Sequence, residues 1–224
     1  MVPHLTSKLI WGRSTWPYKF LRSAAHITGA DVRTVGPKPK PHTLLVANHI
    51  SWMDILVLGR ATGCTFVSKD KLGHSLIHWL ADQNRTIYVD RTSRKAAENQ
   101  VQTIRDALRR RQPIALFPEG TTGPADHLLP FRSTLLAAVA PPPNGAFVQP
   151  VAIDYRPIEK EISWFHEPPM HNVLRILGRA GRIQVTVRLL EQLPYSEDRK
   201  ALAKLAQERI AAALFASSSN THRL

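Results

Sequence analysis

A single cysteine, Cys64, stands in the 224 residues of this sequence, so no internal disulfide framework is available, and a reducing compartment suits the chain. Long apolar runs are missing too. No window of about 18 uninterrupted apolar residues occurs, which leaves no expected transmembrane helix. The N-terminal stretch LIWGRSTWPYKFLRSAAHI mixes apolar residues with Arg and Lys and has no clean hydrophobic region of the kind a signal peptide needs. Acids are scarce: 17 Asp and Glu against 30 Lys and Arg leave a net charge of +13. Such a surface attracts polyanions, either nucleic acid or an anionic lipid leaflet. The basic residues are scattered rather than gathered into one arm, which weakens the case for a nucleic-acid tail. Internal repeats are also absent.

What is present is a globular composition, 43% hydrophobic and 21% charged, at a length that fits one domain with a substantial core. Three segments are expected. Residues 1–35 read as an amphipathic, membrane-interface helical segment, because Trp11, Trp16, Tyr18 and Phe20 interleave with Arg13, Lys19 and Arg22. Aromatic bodies with basic tips suit headgroup depth, although a helix packed on its own domain explains the same pattern. After the stiff connector GPKPKP, residues 36–216 form the main domain, and 217–224 a flexible tail.

Within the main domain, apolar β-rich runs alternate with helical ones. Strands are expected at 43–48, 64–68, 86–90, 113–118, 146–155 and 183–190. Helices are expected at 52–62, 72–82, 94–111, 133–140 and 196–215, the last opening on a Ser cap. This alternation predicts an α/β fold, a mixed and largely parallel sheet flanked by helices on both sides, with functional loops at the strand C-termini.

Two stretches carry chemistry. In NHISWMD, Ser51 and Asp54 make a capping-box pattern at a helix start. Side chains in a helix lean toward its N-terminus, so the Asp54 carboxylate can reach back to His49. A carboxylate on one ring nitrogen fixes the tautomer of the other. The result is the histidine–aspartate half of a serine-hydrolase triad without the serine, able to deprotonate a hydroxyl that a substrate supplies. In FPEGTTG, Glu119 sits in a Pro-Glu-Gly-Thr corner whose amides and Thr121 can face an anion. An ordinary turn with a solvated glutamate is the plainer alternative.

Together these stretches resemble the glycerolipid acyltransferases, the family typified by 1-acylglycerol-3-phosphate acyltransferase. NHISWMD is similar to its N-H-x4-D motif and FPEGT to its F-P-E-G-T block. Between them IYVDR, ending at Arg91, resembles the third block, and VQPVAI with Pro150 the fourth. LLPFR lies where the family has L-P-F-K/R. The resemblance implies that His49 is the general base and Asp54 its orienting partner, with no acyl-enzyme and no cofactor beyond acyl-CoA or acyl carrier protein as co-substrate. It implies that Arg91, Glu119, Gly120 and Thr121 hold the acceptor's polar head, and that Pro150 shapes the pocket. The implied reaction moves a fatty acyl group to the free hydroxyl of a lysolipid, with 1-acylglycerol-3-phosphate as acceptor and phosphatidic acid as product. The implied place is the cytoplasmic face of the inner membrane of a bacterium, among anionic lipids. The resemblance departs at Thr122, where the family carries arginine. A bacterial branch acylating aminolipids such as lyso-ornithine lipid resembles this variant as well. Ser133 and Thr134 likewise replace a small G-A pair.

Other candidates are plainer. His74, His78 and Asp82 share a helical spacing but lack the glutamate of a zinc motif, so no metal is expected. HEPPMH reads as a loop, and Arg109, Arg110 and Arg111 as a solvated helix end. Cys64 reads as buried and structural. A nucleic-acid-binding module would explain the charge, yet it leaves the His–Asp pair unused and finds no RNA-binding signature; no nucleic-acid partner is expected.

Overall fold

Every residue of Thr43–Ala47 is buried, and the run TLLVA has no polar face, which is how a central strand covered on both sides reads. The computed structural model describes residues 16–69, 86–89 and 94–215. In chain order its elements are α1 (Trp16–Ile27), β1 (Ala30–Val35), β2 (Thr43–Ala47), α2 (Met53–Thr62), β3 (Thr65–Lys69), β4 (Ile87–Val89), α3 (Arg94–Leu108) and β5 (Ile114–Leu116). A 3-10 helix at Ser133–Val139 follows, then β6 (Phe147–Asp154), α4 (Glu159–Ile162), α5 (Pro169–Leu177), β7 (Ile183–Leu189) and α6 (Arg199–Phe215).

The strands form one seven-stranded sheet in the order β1-β7-β6-β2-β5-β3-β4. Neighbours are parallel except β6 and β7, so β1 and β7 run against the other five. Alternation along β2 divides the core. Leu44 and Val46 join Ile104 of α3, Leu135 of the 3-10 helix and Leu202 of α6 on one face. Leu45 and Ala47 join Leu21 of α1, Val57 of α2, Ile162 of α4 and Ile176 of α5 on the other. Helices therefore cover both faces, as the alternation predicts, and the sheet is mixed and largely parallel.

Several elements differ from the sequence reading. No strand is expected before Thr43, yet β1 pairs with β7 over six residues from Ala30↔Ile183 to Val35↔Arg188. As an edge strand it leaves Arg33 and Thr34 exposed, so it lacks the apolar signature of the inner strands. Gly36 closes it at φ 97°, where a Cβ would fall 1.9 Å from the Leu189 carbonyl oxygen; only glycine fits there. The 133–140 helix is a 3-10 turn, cut short by Pro141, Pro142 and Pro143, which supply no N–H. Asp198, not Ser196, caps α6: its Oδ1 accepts the Lys200 and Ala201 N–H groups at 2.7 and 3.2 Å. Helix α1 packs on α2 through Leu21 and Ala25, with Gly59 leaving room for Leu21. The expected 72–82 helix, Trp11, Arg13 and the tail lie outside the described residues.

Candidate active site

The order β6-β2-β5 sets the C-terminal ends of three adjacent parallel strands side by side, and a crevice beyond such ends is where open α/β sheets bind ligands. The chain leaving β2 carries His49, the chain leaving β5 carries Glu119, and Tyr155 follows directly on β6.

Asp54 is the hub. It lies in the first turn of α2, fully buried, and leans back over the helix start. Its Oδ2 accepts three hydrogen bonds, from His49 Nδ1 at 2.9 Å, Ile50 N–H at 2.7 Å and Ser51 N–H at 2.9 Å. Its Oδ1 accepts the Tyr155 hydroxyl at 2.8 Å. Four donors satisfy the oxygens of a carboxylate that burial removes from solvent. The expected capping box is half formed. Asp54 reaches back to Ser51 N–H, but the Ser51 hydroxyl accepts only the Met53 N–H, at 3.3 Å, and Trp52 occupies the N-cap position.

With Nδ1–H donated to Asp54, the lone pair of His49 is on Nε2, which has no partner among the described residues. The imidazole is 17% exposed, enough for a substrate hydroxyl to reach it. Its plane is set by stacking on Phe117, with ring centroids 4.1 Å apart, and Phe117 stacks in turn on Phe66. The backbone at His49 is clamped from both sides. Asn48 exchanges two hydrogen bonds with the Ile153 backbone on β6, at 3.0 and 2.8 Å, and the His49 carbonyl accepts Gly123 N–H at 2.7 Å.

Tyr155 is the residue that sequence reasoning missed. It lies 101 positions from Asp54, and the only signal is a tyrosine ending the apolar run of β6. Burial, and then the Asp54 charge, push its phenol well above the usual tyrosine range, so it stays a proton donor.

Glu119 is turned inward. It is 2% exposed, and its oxygens accept His49 N–H at 2.8 Å and Leu129 N–H at 3.0 Å. It fastens the histidine loop to the 120–132 loop rather than facing the opening. Burial raises its carboxyl to about 7 against the pull of those two N–H bonds. Gly120 and Thr121 are exposed at the rim. Gly120 has φ 76°, and the Arg132 side chain lies over it, so a Cβ there would meet Arg132 Nε at 3.2 Å. The N–H groups of Thr121 and Thr122 find no acceptor among the described residues, nor does the Arg132 guanidinium find a carboxylate there. Among the described residues these amides and the Arg132 cation are thus without a partner, in a corner joined to the His49 backbone through Glu119 and Gly123, a setting for an anion or a developing negative charge.

Pro150 is not at this cluster. It is buried inside β6, opposite Val46 of β2. Arg91, His74, His78 and Asp82 lie outside the described residues. Among the described residues no group of three or more His, Cys, Asp or Glu is placed to hold a metal ion. Cys64 is buried, and that burial pushes its thiol up to about 12. The HEPPMH segment is partly helical: His171, in α5, bonds Glu167 at 2.8 Å.

Comparison with known proteins shows the family and the fold. Residues 27–154 match the family described as Acyltransferase. The lyso-ornithine lipid O-acyltransferase of Pseudomonas aeruginosa is 34% identical over 196 residues, which cover 85% of this chain and 75% of that protein. The enzyme of the same name from Brucella abortus is 33% identical, covering 88% and 81%. The 1-acyl-sn-glycerol-3-phosphate acyltransferase of Neisseria gonorrhoeae is 30% identical, covering 59% and 51%. The fold is that of the 1-acyl-sn-glycerophosphate acyltransferase of Thermotoga maritima, with a TM-score of 0.66 at 22% identity over 93% of this chain and 81% of that one. The motif that sets His49 and Asp54 5 residues apart and the Glu119 corner fall inside the matched span, and the chain belongs to the Acyltransferase family.

Proposed function

We propose that the protein is a lysolipid O-acyltransferase in which His49 is the general base. The observation that carries this reading is the 2.9 Å bond from His49 Nδ1 to a buried, four-fold hydrogen-bonded Asp54, which leaves Nε2 without a partner among the described residues. The acceptor hydroxyl gives its proton to Nε2 as its oxygen bonds to the carbonyl carbon of an acyl thioester. The tetrahedral oxyanion is met by the free N–H groups of the Thr121–Thr122 corner. Collapse breaks the carbon–sulfur bond, and the departing thiolate takes the proton back from the imidazolium. An ester and a free thiol carrier, coenzyme A or acyl carrier protein, leave. Asp54 holds the ring and balances the imidazolium charge. Glu119 keeps the loop at its distance from the corner, and the acceptor's head lies against Gly120, Thr121 and Arg132.

For the acceptor, lyso-ornithine-type aminolipid is the first reading. It is supported by the wide span of the similarity to enzymes of that name and by Thr122 in place of arginine. 1-Acylglycerol-3-phosphate is the second, supported by the narrower similarity to its acyltransferases and by Arg132, which has no carboxylate partner among the described residues. Among the described residues no helix is long and apolar enough to cross a membrane, and peripheral attachment to an anionic leaflet fits the +13 charge.

The test is purified protein with a labelled acyl thioester and both lysolipids side by side. Diacyl product is expected, with the aminolipid preferred, and His49→Ala should lose turnover by roughly a hundredfold or more without a change in melting temperature. Full activity in His49→Ala overturns the general-base assignment.

A further inference from the structure

Large apolar side chains are exposed unevenly. Among the described residues Ile27, Ile55, Phe165, Met170, Leu174 and Leu177 stand open to solvent; five of them lie in α1, α2 and α5, and Phe165 lies between α4 and α5. Tyr195, before α6, is exposed too. Helix α5 is the extreme case. It buries only Asn172 and Ile176 against the domain, while Met170, Leu174 and Leu177 are 60, 63 and 53% exposed. Those three recur at i, i+4 and i+7, one stripe along a helix. An amphipathic surface helix turns such a stripe inward; this one points outward.

The same layer is short of acid. Helices α1, α2 and α5 contain one acidic residue between them, Asp54, and it is buried at the catalytic loop. Nearby, Glu161 and Glu167 are each taken up by an arginine, Arg179 and Arg175. Glu159, the other acid of α4, forms no ion pair among the described residues, so it is α5 itself, not the whole layer, that is free of acid, in a protein of net +13. Helix α5 is also tied to the catalytic loop, Trp52 Nε1 donating to Asn172 at 3.0 Å, and the segment before the helix is tied to it by Trp164 N–H, which donates to the Ile50 carbonyl at 2.7 Å.

We infer that the outward stripe of α5 is a bilayer-docking face that seats the catalytic loop against an anionic leaflet. The occupant is a lipid surface rather than a protein, because an apolar stripe on a helix without acids, in a chain of net +13, matches the two-part chemistry of an interface, acyl chains below anionic headgroups. The inference rests on the lysolipid reading for its purpose, since an acceptor leaving a leaflet then meets His49 without crossing water. It does not depend on the N-terminal residues 1–15.

The experiment uses the full chain with Leu174→Cys carrying an environment-sensitive dye, and a control dye at Lys200→Cys on α6. Cys64, buried with its thiol pushed up to about 12, does not compete for label. On mixing with vesicles of equal phosphatidylglycerol and phosphatidylcholine, the dye at 174 shifts to the blue and the dye at 200 does not. Leu174→Glu lowers vesicle partitioning about tenfold, yet acylates detergent-dispersed lysolipid at the wild-type rate. Cosedimentation with vesicles and no blue shift at 174 overturns the inference and leaves the enzymatic reading, which the dispersed-substrate assay measures alone. Absence of vesicle binding overturns it too. So does a shift that follows protein concentration instead of lipid and is abolished together with a dimer by Leu174→Glu, since the face is then a self-interface.

Discussion

Glu119→Gln is a nearly isosteric change at a group whose proton the fold holds unusually tightly. The unfolded carboxyl titrates near 4.5, whereas in the folded protein burial raises it to about 7, the His49 and Leu129 N–H bonds only partly opposing. Between those values the folded state binds more proton than the unfolded one, so stability falls as pH rises. At ~1.36 kcal/mol per pH unit the full window amounts to about 3 kcal/mol. Glu119 is 2% exposed, so solvent screening does little to reduce that figure. Glutamine cannot titrate. Its amide also meets one of the two N–H groups with a donor, a fixed cost of about 1–3 kcal/mol. Urea unfolding of wild type and Glu119→Gln at half-unit steps from pH 5 to pH 8 is the assay. The variant is expected to be the less stable protein at pH 5 and to close the gap by about 2–3 kcal/mol by pH 8. A gap independent of pH refutes the reasoning. A gap that widens as pH rises refutes its sign, and means that the two N–H bonds outweigh burial.

Other substitutions probe the same site. Tyr155→Phe removes the only donor to Asp54 Oδ1 among the described residues, which should cost about 2 kcal/mol and roughly 4–8 °C in melting temperature, with kcat reduced more than KM when both are measured on one acceptor. Gly123→Ala would put a Cβ 2.7 Å from Glu119 Oε2; a destabilisation of about 1–3 kcal/mol in chemical denaturation is expected, with loss of turnover as the His49–Gly123 bond shifts. Arg132→Ala removes a rim guanidinium that has no carboxylate partner among the described residues, and should raise KM for the phosphate-headed acceptor about tenfold, with kcat and stability little changed in the same titrations.

The parts of the fold legible in the sequence are those whose burial is complete. β2, β6 and β7 stand out because both faces or one whole face are apolar, and α3 because its polar and apolar positions alternate with helical spacing. β1 is illegible for the opposite reason: ADVRTV is an edge, and its pairing with β7 depends on residues about 150 positions away. Helix α5 is hidden by its own inversion. Pro168 precedes it and Pro169 opens it, and Met170, Leu174 and Leu177 face solvent, so no inward stripe marks it. The site divides in the same way. His49 and Asp54 are legible because their contact is local, set by the geometry of one helix start. Tyr155 and the inward turn of Glu119 are not, since both depend on which strands the sheet makes neighbours.

That division bears on what Asp54 does. A carboxylate in the first turn of a helix stabilises it with no need of a histidine, and Ile50 and Ser51 N–H alone would explain its position. Two features go beyond capping. The Tyr155 hydroxyl comes from another strand to satisfy the oxygen that the cap leaves idle, and the third donor to Oδ2 is an imidazole held flat on Phe117. A cap at a solvated helix start has no use for either, whereas a fixed imidazole needs a partner that cannot swing. Asp54→Asn should separate the roles. The amide keeps one oxygen to accept the Ile50 and Ser51 N–H groups, and with that oxygen so placed it turns an N–H₂ toward Tyr155, whose hydroxyl can accept. The helix start then survives at a cost of about 1 kcal/mol, while the negative charge opposite the imidazolium is gone and turnover falls by orders of magnitude. Equal losses of stability and turnover, tracking each other through a temperature series, would mean that Asp54 only caps.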